Sequence, residues 1–289
     1  MTAASPGRRL RQAWAAGTIA VPGVFCPLVA RMAERMGFPA VYLSGAALSA
    51  TLGLPDIGLV TASEFAEAAR AIIAASNLPL LCDADTGFGE ALNVERTVRL
   101  FEAAGAAGLH LEDQQMPKRC GHLSGKQLVD ADAMASKIRA ACAARGDRDF
   151  VILARTDARG VDGFDEAVRR AKLYVAAGAD GIFPEALESP EEFAAFARAM
   201  PGVCLLANMT EFGRSPPMDR NALADLGYRI VLYPVTGLRA ALGATRAVLS
   251  DIHAKGHQRD RLGDMLTRAD LYELLDYEGY DSRDRSYFG

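Results

Sequence analysis

Short apolar runs alternate with longer amphipathic segments along this chain. The runs fall at Thr18–Val21, Ala40–Leu43, Leu78–Cys82, Gly108–Leu111, Phe150–Ala154, Gly181–Phe183, Val203–Ala207 and Ile230–Leu232. Their length and continuous apolar character predict buried strands. Between them, Ser63–Ala75, Asn93–Ala104, Gly163–Ala177 and Pro190–Met200 carry apolar residues three and four apart among Ala, Glu and Arg. That spacing lines one face of a helix. Ser63 before Glu64, Asn93 before Val94 and Ser189-Pro190-Glu191 supply the side-chain oxygens or the fixed proline φ that suit helix starts. Met36-Gly37, Ala104-Gly105-Ala106 and Ala177-Gly178-Ala179 read as glycine stops.

Eight strands alternating with helices predict an α/β fold, a (β/α)8 TIM-type barrel. The expectation is one domain over residues 1–289, with a short helix after Ser5-Pro6 and a polar helical tail from about Asp251. An open doubly wound sheet would show a glycine-rich phosphate loop after its first strand. Here Pro22-Gly23-Val24-Phe25 follows instead.

Half of the 289 residues are hydrophobic, enough for a barrel-sized core. A net charge of −4 with no basic cluster argues against nucleic acid as a partner. No apolar run reaches the roughly 18 residues of a membrane span. The opening MTAASPGRRLRQAWAAG lacks the apolar stretch of a secretory signal. The five cysteines are widely spaced and form no CxxC pair, which predicts reduced thiols in a cytoplasm. Cys82 and Cys204 lie in strands as core filler, Cys142 in an Ala-rich helix, and Cys26 on a loop entering one.

Cys120 keeps different company, in Lys118-Arg119-Cys120-Gly121-His122. Nearby cations favour a thiolate, so this thiol is expected to exchange a proton near neutral pH. Asp83-Ala84-Asp85-Thr86-Gly87-Phe88-Gly89 offers two carboxylates suited to a hard divalent cation. Together they suggest carbon–carbon bond chemistry beside a carboxylate. A barrel places its chemistry at the C-terminal strand ends. Ser44-Gly45-Ala46, Asp83 and Asp85, Glu112-Asp113, Arg155-Thr156-Asp157, Glu185, Asn208-Met209-Thr210-Glu211 and Arg239 all fall there.

At these residues the chain resembles the isocitrate lyase/phosphoenolpyruvate mutase superfamily, most closely its 2-methylisocitrate lyase branch. The resemblance runs from about Pro22 to Tyr272. It rests on Tyr42–Ala46, Gly53-Leu54-Pro55-Asp56, Asp83–Gly89, His110–Gln114, Lys118–His122, Ala154–Ala158, Phe183–Ala186, Asn208–Gly213 and Thr267-Arg268. Lys118–His122 is specific to the lyase branch. Leu123-Ser124-Gly125-Lys126 departs from many proteobacterial members, which carry an arginine and a proline after the histidine.

The resemblance implies Mg2+, with Mn2+ as a substitute, held by Asp83 and Asp85 and supported by Asp56, Glu112 and His110. It implies a di- or tricarboxylate substrate contacted by Ser44, Gly45, Ala46, Gly121, Arg155, Glu185, Asn208, Met209, Thr210, Arg239 and Arg268. Cys120, His122, Lys118, Arg119 and Tyr42 would carry the catalytic roles, with Tyr42 as the hydroxyl base. A cytoplasmic homotetramer with a C-terminal helix exchanged between subunits is also implied. So is cleavage of 2-methylisocitrate in the methylcitrate cycle of propionate catabolism. Two alternatives stay open: a related lyase acting on isocitrate or a 2,3-dimethylmalate-type acid, and a non-catalytic carboxylate-binding barrel.

Overall fold

The computed structural model describes residues 4–288. Residues 1–3 and 289 of the expected single domain lie outside them. The chain divides into two compact units, the first ending at Thr236 and the second starting at Gly237.

The first unit is built on eight strands: β1 (Ile19–Pro22), β2 (Val41–Leu43), β3 (Leu80–Asp83), β4 (Gly108–Glu112), β5 (Val151–Thr156), β6 (Gly181–Pro184), β7 (Cys204–Asn208) and β8 (Ile230–Tyr233). Their order is β1-β8-β7-β6-β5-β4-β3-β2, with every pair parallel. The ring closes between β1 and β2, where the Val24 N–H donates to the Tyr42 carbonyl at 2.8 Å. Gly23 sits at this seam, and a Cβ there would lie 1.9 Å from the Pro234 carbonyl oxygen. Only glycine allows that approach.

Helices α1 (Pro6–Ala16), α2 (Pro27–Arg35), α3 (Gly45–Thr51), α4 (Ala62–Ala75), α5 (Ala91–Ala103), α6 (Ala131–Ala144), α7 (Phe164–Ala176), α8 (Pro190–Ala199) and α9 (Arg220–Asp225) alternate with the strands. The expected (β/α)8 class is therefore observed. Several strands run a residue or two further than the apolar runs suggested. Glu112 pairs with Arg155 in the β4–β5 ladder, because a ladder needs backbone groups and not apolar side chains. Two helix starts differ from expectation. The α4 cap is Thr61, not Ser63, in a capping box with Glu64. The α5 cap is Glu90, and Asn93 bends back from the third helical position to accept the Glu90 N–H at 3.3 Å. Ser189 caps α8 as expected and accepts the Glu192 N–H.

Alternation along each strand sorts side chains into two cores. Val41, Leu43, Leu80, Cys82, Ile152, Ala154, Leu205 and Ala207 join the core that also contains the helices. Tyr42, Leu81, Val151, Leu153, Phe183, Leu206, Ile230 and Leu232 fill the barrel interior. Leu10, Ala13 and Trp14 of α1 pack with the interior cluster. Trp14 thus covers a barrel end.

The second unit contains most of α10 (Thr236–Lys255), then a 3-10 segment (Arg259–Asp264), α11 (Arg268–Leu274) and α12 (Tyr277–Phe288). Leu242, Leu249 and Ile252 of α10 are exposed. Among the described residues, no helix is long and apolar enough to cross a membrane.

Candidate active site

The inward parity of each strand continues past its apolar part into polar residues. Leu81 leads to Asp83, Leu153 to Arg155, Phe183 to Glu185 and Leu206 to Asn208, each two positions on. His110 and Glu112 keep the same spacing on β4. A ring of buried polar groups follows at the C-terminal mouth.

Asp83 is anchored by its neighbours. Its Oδ2 accepts the Gly45 N–H at 3.0 Å and the Tyr42 hydroxyl at 3.4 Å, and its Oδ1 accepts the Asp85 N–H at 3.0 Å. Burial opposes its ionisation, but His110 when protonated, Lys118, Arg155 and the Asp85 N–H together hold its pKa below the usual value. Burial, then the Asp83 charge, pushes Asp85 up to about 7. Burial also raises Glu112 well above the carboxylate range, against the pull of Arg155. Lys118 is the cation set among these acids, 2.9 Å from Asp85 Oδ1 and paired with Asp56. Burial works against its charge, but Glu112, Asp85, Asp83 and Asp56 outweigh it and raise its pKa.

A divalent cation fits this donor set. Asp85 Oδ1 and Glu112 Oε1 are buried without an aligned hydrogen-bond donor. The hard oxygens of Asp83, Asp85 and Glu112 suit Mg2+. Among the described residues, no three His, Cys, Asp or Glu side chains form a cage for an ion, and Mg2+ commonly keeps several waters. Asp56, expected to support the metal, is the partner of Lys118.

His110 is buried, and burial pulls it down to about 4. Its Nε2 lies 2.8 Å from the Tyr42 hydroxyl. Burial, then the Asp83 carboxylate, holds the Tyr42 phenol well above its ordinary pKa. The expected base is thus protonated at rest.

The Cys120 loop is tied down along its length. The Gln114 side chain exchanges two bonds with the Arg119 backbone, both 2.9 Å. The Leu123 N–H returns to the Cys120 carbonyl at 2.9 Å. Burial raises the Cys120 pKa; the His122 N–H and Arg155 offset this in part, while Glu185 adds to it. The expectation of a cation-activated thiolate is corrected here, since the resting group is a protonated thiol. Adjacency in sequence misled: Lys118 turns to the acids, and Arg119 is exposed with its guanidinium near Gly125.

His122 Nδ1 accepts the Arg214 N–H at 3.0 Å, which puts the proton of the neutral ring on Nε2, 3.1 Å from Glu185 Oε1. Burial lowers the His122 pKa against the pull of Glu185. Glu185 also accepts from Asn208 Nδ2 at 3.2 Å. Arg155 bonds Asp157 through Nε and Nη2 at 3.0 and 3.2 Å, and its Nε lies 3.3 Å from Glu112.

The structure therefore brings together Tyr42, Gly45, Asp83, Asp85, Glu112, Lys118, Cys120, Gly121, His122, Arg155, Glu185 and Asn208. Ser44 caps α3 by accepting the Ala47 N–H, and Ala46 lies in the first turn of that helix. Met209 is buried and its sulfur accepts the Met218 N–H. Thr210 follows it, half-buried. Arg239 and Arg268 belong to the second unit, where both are exposed.

Three residues placed at the strand ends or in the motifs, without a role of their own, also contribute. Asp157, fully buried, joins Arg155 to Lys126. Asp113 accepts from Thr156, Tyr174, Arg170 and the Asp157 N–H. Gly213 lies beside His122, and a Cβ there would meet the ring Nδ1 at 2.7 Å. Gly213→Ala is expected to displace the His122 ring and break its bond to Arg214. One such bond is worth about 1 kcal/mol of stability, so the thermal midpoint should drop slightly, while kcat/KM should fall about fivefold from the displaced ring. An unaltered kcat/KM would mean that the ring position is irrelevant to turnover. Backbone strain gave no sequence signal: Asp85 and Ala186, both at strand ends, have φ of 44° and 57°.

Comparison with known proteins adds four findings. A family model, phosphoenolpyruvate phosphomutase, matches residues 9–253. A relative from Aeropyrum pernix named 2-methylisocitrate lyase is 54% identical over 280 residues, which is 96% of this chain and 90% of that protein. Among solved structures, a 2,3-dimethylmalate lyase is 34% identical with a TM-score of 0.92, covering 99% of this chain and 97% of its own. A phosphonopyruvate hydrolase complexed with oxalate and Mg2+ is 35% identical with a TM-score of 0.89, covering 99% of this chain and 100% of its own.

Proposed function

We propose, for a chain that belongs to the phosphoenolpyruvate phosphomutase family, a carbon–carbon lyase that splits 2-methylisocitrate into pyruvate and succinate. The observation that carries this reading is the Cys120-Gly121 loop packed against Arg155 and Glu185, with Arg155 in turn 3.3 Å from Glu112. Asp83 and Asp85, supported by Glu112, would hold Mg2+ or Mn2+, which when bound supplies positive charge for the substrate's hydroxyl and carboxylate oxygens.

The chain's own residues account for the proton movements. Tyr42 Oη takes the tertiary hydroxyl proton while its own proton passes to His110 Nε2, 2.8 Å away. The carbon–carbon bond breaks, the oxygen-bearing carbon becomes the keto carbon of pyruvate, and the bonding electron pair stays on the succinate fragment. Arg155 stabilises the charge that develops there. Cys120 Sγ–H then protonates that carbon. A thiol that stays protonated until this moment serves the step better than a resting thiolate.

The reading includes a place in propionate catabolism through the methylcitrate cycle, and a cytoplasmic homotetramer with an exchanged C-terminal helix. The exposed Leu242, Leu249 and Ile252 of α10 support the exchange. The five free cysteines support a reducing compartment.

The test is a substrate panel of 2-methylisocitrate, isocitrate and 2,3-dimethylmalate, each with Mg2+ and with a chelator. Pyruvate release from the first acid, abolished by the chelator and restored by Mg2+, is expected. Preference among the three acids turns on methyl contacts worth about 1–3 kcal/mol each. Absence of cleavage of any acid would favour a binding barrel instead.

A further inference from the structure

We infer that Lys126 is the positioning residue that locks the Cys120 loop onto the barrel, by bridging the Gly121 carbonyl to the Asp157 carboxylate. The inference deepens the lyase reading and rests on Cys120 being the acid of that reaction. Lys126 lies outside the Lys118–His122 string, yet its side chain is 2% exposed. Its Nζ donates to the Gly121 carbonyl and lies 2.8 Å from Asp157 Oδ1. Asp157 also holds Arg155. One carboxylate on the barrel therefore sets both the guanidinium that faces Glu185 and, through Lys126, the backbone next to the thiol.

The anchor is itself rigid. The Asp157 N–H donates to Asp113 Oδ1 at 2.9 Å, and Asp113 Oδ2 accepts from Thr156 and Tyr174, both at 2.8 Å. Removing the ammonium would leave the Gly121 carbonyl without its buried donor and Asp157 with one cation in place of two. Buried groups left in that state move toward water. The barrel strands cannot move without breaking their ladders, whereas the loop can. Release of Lys126 should therefore lift Cys120 and Gly121 away from Glu185 and Arg155. Gly160 lies beside the ammonium, and a Cβ there would stand 3.3 Å from Nζ.

The test uses the full chain, comparing native protein with Lys126→Met. Two quantities are read: iodoacetamide alkylation of each cysteine, followed by peptide mass spectrometry, and kcat and KM separately. A loop set free exposes the thiol and removes the burial that raises its pKa. Cys120 alkylation should then rise about tenfold as the thiol loses its burial and meets solvent. Loss of alignment by about 1 Å should lower kcat about 10²-fold, with a smaller change in KM. Cys82, buried in the barrel wall, should stay unmodified. A merely structural lysine would lower the thermal midpoint without changing Cys120 reactivity, and that result overturns the inference.

Should Cys82 react as well, the barrel has opened and Lys126→Arg decides. It keeps the charge, but its planar fork cannot reproduce the two bonds of the compact ammonium to Gly121 and Asp157. Cys120 alkylation about threefold faster with Cys82 protected supports the inference, and an unchanged rate overturns it. Native protein that cleaves none of the acids would remove the lyase reading while leaving the alkylation comparison intact, so the two failures are separable.

Discussion

Cys120→Ser is expected to stop carbon–carbon cleavage, lowering kcat by about 10²–10⁴-fold, the usual worth of a positioned general acid. The substitution changes one atom and leaves the loop's ties in place. The Gly121 carbonyl still meets Lys126, the Arg119 backbone still meets Gln114, and the His122 N–H can donate to a hydroxyl as it does to the sulfur. What changes is acidity. Burial and Glu185 raise the Cys120 pKa while the His122 N–H and Arg155 restrain the rise, and a serine hydroxyl starts far above any thiol. It cannot give up its proton to the new carbanion on the time scale of turnover. Binding should survive. Succinate and pyruvate affinities, measured by calorimetry with Mg2+ present, should stay near those of the native chain. Equal losses in binding and in turnover would make Cys120 a structural residue, and near-native kcat in the serine variant would end its assignment as the acid.

The barrel was legible because its rules are local and periodic. Each strand announces itself as a short apolar run, and the residue two positions beyond an interior-facing one faces inward again. From Leu81, Leu153, Phe183 and Leu206, that arithmetic reaches Asp83, Arg155, Glu185 and Asn208. The helix caps were less legible, because the residue type alone does not say which of two nearby oxygens turns back. Thr61 and Ser63 are both competent, and the position of Glu64 three residues after Thr61 decides for the former.

Charge was the part least readable from the chain. Lys118 and Arg119 flank Cys120, yet neither governs the thiol: one pairs with Asp56 and Asp85, the other is exposed. The cation that restrains the thiol is Arg155, thirty-five positions away in sequence. Electrostatic influence follows distance and burial in space. The pairing of Lys126 with Asp157 was hidden for the same reason, since its two partners meet only when the loop after β4 folds over the end of β5.

Gly121→Ala is the second large effect expected, and its cause is steric. A Cβ at Gly121 would stand 2.2 Å from Glu185 Oε1, 2.5 Å from Glu185 Cγ and 2.4 Å from Arg155 Nη2. Side-chain tips often yield to such an intrusion, but these two are held. Glu185 is 1% exposed and bonded to Asn208, while Arg155 is held by Asp157 at 3.0 and 3.2 Å and lies 3.3 Å from Glu112. The loop is the softer partner and must retreat, taking Cys120 with it. A misplacement near 1 Å costs about 10²-fold in rate, so kcat should fall by that order. Stability should fall too, since a retreating loop gives up the bond from Lys126 to the Gly121 carbonyl. The combination to look for is thus a sharp loss of turnover with a modestly lowered thermal midpoint. An alanine variant that turns over at the native rate would show that the loop does not pack on Glu185 and Arg155 during catalysis. The proton transfer from Cys120 would then need a different resting place for the sulfur.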